Sequence, residues 1–232
     1  MASDESATKH RGTRPPPLAS HRLPAHLRHV RWLGGGSGAG KSTIAHHLAA
    51  ANALHLYRTD DVIADHVQRA RSLDTPLLDA FLAMEMDERW VTRSPEAMLT
   101  TFPWFAGEGF DLIVEDVQAL PQAPPILVEG FRLLPRLVAP LLSHPRQAVW
   151  LVPTPAFRRA AFDRRGFTWE IPNKTSRPEQ ALTNLLARDE LFTQAVVREA
   201  HALQLPVIET DGAVSVDAMI RRVANQLDLS TS

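Results

Sequence analysis

Residues 35–42 read Gly35-Gly36-Ser37-Gly38-Ala39-Gly40-Lys41-Ser42, the spacing G-x-x-x-x-G-K-[ST], set between an apolar run ending at Leu33 and a helix-like stretch from Ser42. Glycines let the backbone curl tightly, so that successive N–H groups and the following helix N-terminus point at a phosphate chain. Lys41 adds a mobile positive charge for the β- and γ-phosphates. The Ser42 hydroxyl is placed to ligate Mg²⁺, and Thr43 lies near the α-phosphate. A plain glycine-rich turn has no need of Lys-Ser at that fixed offset.

Three carboxylates could meet this loop. Asp60 and Asp61 follow the second short apolar run, and Glu129 ends Ile126-Leu127-Val128, which sets all three at the carboxyl edge of a parallel sheet, where ligands collect. Glu129 then stands beside the phosphate loop, placed to hold Mg²⁺ through water or to bind a substrate group, with Gly130 allowing a close turn. A bland role is open to each: Thr59, Asp60 or Asp61 can cap the next helix, and Glu129 can be an exposed strand-end acid.

The elements needed to position these groups are legible. Five apolar runs, Val30 to Leu33, Leu54 to Tyr57, Ile126 to Val128, Ala148 to Val152 and Pro206 to Glu209, alternate with helix-like segments, the pattern of a parallel sheet buried on both faces. Helices are expected over Ser42 to Asn52, Pro155 to Arg165, Arg177 to Leu203 and Ser215 to Leu227, with a long region from Asp61 to Ala119 broken at Pro76, Pro95 and Pro103. Within it, Leu112-Ile113-Val114 reads as strand or helix. The continued spacing to Val117 and Leu120 favours helix. Residues 79–105 concentrate Phe81, Trp90, Phe102, Trp104 and Phe105, with Arg89 and Arg93 as polar candidates among them; core packing explains such residues as readily as a ligand pocket does.

Composition narrows the class. With 25 Lys+Arg against 26 Asp+Glu, the formal charge of −1 provides no global field for nucleic acid or anionic membrane. The absence of cysteine removes disulfides, thiolate metal sites and cysteine nucleophiles. No apolar stretch is long enough to span a bilayer, and without the apolar core of a secretory signal a cytoplasmic location is expected. Residues 1–28 carry Pro15, Pro16, Pro17 and Pro24, and their little apolar content reads as a disordered, basic tail; residues 29–232 form the folded domain.

The string Gly-Gly-Gly-Ser-Gly-Ala-Gly-Lys-Ser-Thr, with Thr59-Asp60-Asp61 and Glu129-Gly130, resembles the small-molecule and nucleotide kinases of the P-loop superfamily, the group holding uridine kinases, gluconate kinases, chloramphenicol phosphotransferases and zeta toxins. The resemblance implies an α/β fold with a five-stranded parallel sheet of order 2-3-1-4-5 and a mobile lid, here about residues 166–177. It also implies ATP and Mg²⁺ as cofactors and a small-molecule acceptor. By the same resemblance, Asp60 orients the acceptor, Asp61, Arg93 and Glu129 contribute to its binding, and Ser42 and Glu129 serve the metal. Arg165 and Arg164, then Arg188, close over the phosphates, and the Thr210-Asp211-Gly212 turn holds the base by backbone contacts. A regulatory ATPase module and a zeta-toxin-like nucleotide-sugar kinase are the alternatives. A GTPase is disfavoured because Asn173-Lys174-Thr175-Ser176 has serine where guanine recognition needs aspartate.

Overall fold

The computed structural model describes residues 27–70, 73–166 and 168–230, with Arg165 described in its backbone alone. Chain order is β1 (Val30–Gly35), α1 (Lys41–Ala51), β2 (His55–Arg58), α2 (Ile63–Ala70), α3 (Pro76–Ala83), a π-helical turn (Glu88–Thr92), α4 (Pro95–Thr101), α5 (Pro103–Ala106) and α6 (Phe110–Ala119). It continues with β3 (Ile126–Glu129), α7 (Pro135–Val138), β4 (Ala148–Pro153), α8 (Pro155–Arg165), α9 (Pro178–Ala202), β5 (Val207–Thr210) and α10 (Val216–Leu227). The five strands pair in parallel in the order β2-β3-β1-β4-β5, as the resemblance implied.

Strand residues alternate between two cores. Val30, Trp32, Ile126, Val128 and Trp150 face one side with α6 and α9, packing against Ile113, Val117, Phe192 and Val196. Leu33, Leu127, Val149 and Leu151 face the other side, covered by Ile44 and Leu48 of α1 and by Met219 and Val223 of α10. Every residue of β3 and β4 is buried, which is why those runs carry no polar alternation. Pro206 sits just ahead of β5, an edge strand, where its missing N–H costs no ladder bond.

Leu112-Ile113-Val114 is helical, within α6; Leu112, Ile113 and Val117 are buried at helical spacing. Prolines 76, 95 and 103 each open a helix, so the long region breaks where expected. One boundary is corrected. Leu27, assigned above to the tail, is 2 % exposed within the core, and its carbonyl accepts from Val30 N and from Gln147 Nε2. The rest of the expected tail, residues 1–26, lies outside the described residues. No helix among the described residues is long and apolar enough to cross a membrane.

Candidate phosphate-binding and transfer site

The Gly-rich loop leaves β1 at the carboxyl edge of the sheet and runs directly into α1. Gly40 caps α1 at φ 82°, and the first helical bond is Ile44 N to Gly40 O, so the amides of Lys41, Ser42 and Thr43 precede the ladder. A Cβ at Gly40 would meet nothing within 4 Å, so the loop encloses open space there. The Lys41 ammonium reaches Gly36 O at 2.9 Å, bridging the two ends of the loop. The loop is braced from outside. Gly36 N donates to Leu151 O at 3.0 Å, and Arg158 of α8 donates to Ser37 O at 3.4 Å while also binding Glu190 and Thr193.

Glu129 ends β3 at 1 % exposure, and burial pushes its carboxyl above the usual range, with Lys41, Ser42 and Arg58 opposing the rise and Asp60 adding to it. Ser42 Oγ donates to Glu129 Oε1 at 3.2 Å, whereas Oε2 is buried with no hydrogen-bond partner among the described residues. An orphaned acid oxygen beside a hydroxyl suits an oxygen-seeking cation such as Mg²⁺. Among the described residues no cluster of three acids or histidines offers an alternative metal site.

Asp60 is exposed at the same edge. Thr59 N donates to Glu129 O at 2.8 Å, which locks the β2 exit onto the β3 exit and holds Asp60 within electrostatic reach of Glu129 and Arg132. Asp61, also exposed, is paired with Arg58 at 3.1 Å. Arg93 is likewise engaged elsewhere, donating to Ala97 O at 3.0 Å, to Thr101 Oγ1 and to Met84 Sδ, so its guanidinium straps α4 to the preceding turn.

A cavity of about 530 Å³ opens on the other side of the loop, lined by Gly38, Gly40, Thr43, Phe157, Arg164, Thr210, Gly212 and Met219 among others. Its apolar character and its Thr210–Gly212 turn suit a nucleotide base. Arg164 borders this cavity, 5.9 Å from the Phe157 ring centre. The Arg165 side chain lies outside the described atoms. Arg188 is enclosed: Trp90, Phe102 and Phe105 surround its guanidinium at 5.0 to 5.2 Å, and Asp189 binds its Nε and Nη2. The segment expected as a lid holds a short helical turn, Pro172–Lys174, and Ser176 N donates to Asp87 at 2.7 Å.

The aromatic residues of 79–105 pack as a wall: Phe81 meets Trp90 and Phe102, and Phe105 stacks on Phe192 at 3.8 Å. Beside Trp104 of the same segment lies a polar network with no local sequence signature. Asp116 of α6 accepts from Tyr57 at 2.6 Å, from His66 at 2.7 Å and from Arg69 at 2.6 Å. Arg132, 2 % exposed, donates to His66 and to Gly109 O and lies over Trp104; burial lowers its pKa to about 10.

The chain matches no protein-family model and no curated protein sequence. Among solved structures it is similar to shikimate kinase from Acinetobacter baumannii in complex with shikimate, at 16% identity and TM-score 0.42, covering 86% of this chain and 93% of that one. It is also similar to deoxyadenosine kinase from M. mycoides with bound dATP, at 12% identity and TM-score 0.44, covering 86% and 98% respectively.

Proposed function

We propose that the protein is an ATP- and Mg²⁺-dependent phosphotransferase that moves the γ-phosphoryl group to a hydroxyl or phosphate of a small molecule. The observation that carries this reading is the convergence, at one sheet edge, of the Lys41-bearing loop, the Ser42–Glu129 contact at 3.2 Å and the exposed Asp60. The loop amides and Lys41 hold the triphosphate, while the cavity beside Phe157 takes the base. Ser42 and Glu129 would hold the cation, whose chemistry is charge neutralisation on the phosphate oxygens. Asp60 accepts a hydrogen bond from the acceptor hydroxyl, aligns it with the γ-phosphorus and takes its proton as the P–O bond forms; the leaving oxygen stays with ADP. The aromatic wall and the braced loop limit the water that can compete with the acceptor.

Acceptor-dependent ADP release, screened over pooled hydroxylated metabolites, nucleosides and nucleotide sugars, tests the reading. Asp60→Asn should keep Mg·ATP binding and lose acceptor-dependent release. ATP turnover that no acceptor changes would replace this reading with a regulatory ATPase, and Asp60→Asn activity within a few-fold of wild type would reduce Asp60 to a cap.

A further inference from the structure

Arg58, the last residue of β2, pairs in register with Glu129 of β3. In a parallel pair, residues in register leave the same face of the sheet, here the face covered by α1, because Leu127 and Leu56 two positions earlier pack there. The guanidinium is only partly committed: Nη1 donates to Asp61 at 3.1 Å, while Nε lies 3.7 Å from Oε2 of Glu129. That separation is too long for a hydrogen bond, and both atoms are buried without a hydrogen-bond partner among the described residues. Opposite charges thus face each other across a gap, drawn together by charge and held apart by the Asp61 anchor. The other oxygen of Glu129 is already on Ser42, so the oxygen facing Arg58 is the one open to a cation.

We infer that Arg58 is a positioning residue that acts as a counter-cation of Glu129, beside Lys41, before metal–nucleotide binds, and that it competes with the divalent cation for the same carboxylate. The inference rests on the Mg·ATP reading above. Its physics is charge repulsion: a guanidinium beside the carboxylate stabilises the metal-free state and disfavours a second cation there. Arg58 thereby ties metal affinity to β2, the strand that delivers Asp60. Asp61 takes a role in this, as the anchor that draws Arg58 away from Glu129.

The test is Mn²⁺ binding to the ATP-loaded full chain, read by Mn²⁺ electron paramagnetic resonance at about pH 8.5, well above the carboxylate range. Arg58→Gln should bind Mn²⁺ about 3- to 10-fold more tightly, and Arg58→Lys, which keeps the charge, should match wild type. Unchanged or weaker Mn²⁺ binding in Arg58→Gln overturns the inference. Asp61→Asn, a change at an exposed site, provides the opposite sign: losing the anchor should leave Arg58 on Glu129 and weaken Mn²⁺ binding, and tighter or unchanged binding counts against the competition. Metal-free ATP binding separates the two levels. If ATP binds and Mn²⁺ affinity ignores Arg58, the inference alone falls; if wild type takes up no ATP, the phosphotransferase reading falls and the inference with it.

Discussion

Nη1 of Arg132 lies 2.9 Å from Nδ1 of His66, in the polar network beside Trp104. Because a guanidinium only donates, Nδ1 must accept, which places the ring proton on Nε2 and directs it to Asp116 Oδ2 at 2.7 Å. Burial pulls the imidazole below its ordinary pKa, with Arg132 and Arg69 adding to the fall and Asp116 opposing it. Protonation would put a second N–H against Arg132. The polar network is therefore built for neutral histidine.

A pH dependence follows with a defined sign. Since the folded imidazole resists the proton more than the unfolded one does, its stabilisation is complete above about pH 6.5 and is lost as pH falls through the folded-state value. Asp116 does not contribute in this window: although burial raises its pKa, hydrogen bonds from Tyr57, Arg69 and His66 hold it below the usual carboxylate range. Glu129 titrates with the opposite sign, upward from the carboxylate range. Urea unfolding of wild type and His66→Gln between about pH 7.5 and 5.5 isolates the histidine. The wild-type advantage should shrink on acidification, and a constant difference would mean that His66 is not the titrating group.

Lys41 closes the loop on itself through Gly36 O, at 7 % exposure. Removing its ammonium should take a charge-assisted contact from the triphosphate, and contacts of about 1.5–3 kcal/mol correspond to at least about a tenfold loss of affinity. Calorimetric titration of Lys41→Ala with Mg·ATP reads this directly. Circular dichroism should be unchanged, since the ammonium bonds the loop carbonyl of Gly36. Wild-type affinity in the variant would contradict phosphate binding by this loop.

Gly130 makes the turn beyond Glu129 at φ +156°, with Thr59 seated where a side chain would go: an added Cβ would meet Thr59 Oγ1 at 1.7 Å and Thr59 Cβ at 2.8 Å. Gly130→Ala should therefore cost about 2–4 kcal/mol by clash and backbone strain together. Thr59→Ala on that background should recover only part of the loss, because the second contact and the backbone strain persist. A variant as stable as wild type by chemical denaturation would show that the β2 and β3 exits are not locked as the Thr59 N to Glu129 O bond indicates.

The sheet, its helices and the phosphate loop were legible because their signals are local: continuous apolar runs bounded by turns, and a motif with fixed spacing. Glu129 and Asp60 were legible for the same reason, as strand-end acids. What escaped depends on side-chain direction across distant elements. Arg132 carries no motif and is joined to His66 by a contact spanning 66 positions, so neither residue stands out in the string. Arg93 and Arg188 looked available because sequence shows charge without showing partners; one is spent on the following helix, α4, and the other is enclosed by aromatic rings. The Arg158-to-Arg165 run was readable as a helix, but which arginine meets the loop depends on helix rotation, and among the described side chains Arg158 reaches the Ser37 carbonyl.

Arg164 gives the sharpest contrast between the two readings of that helix. Beside Phe157 at the base cavity, it should act on the base through stacking and cation–π attraction, contributions of about 0.5–2 kcal/mol. Arg164→Ala should then weaken Mg·ATP binding by about 2- to 30-fold while leaving inorganic tripolyphosphate binding unchanged. Competition titrations with both ligands distinguish the roles, since tripolyphosphate has no base to stack. An equal loss for ATP and tripolyphosphate would return Arg164 to the phosphates and place the base contact on the Thr210–Gly212 turn alone.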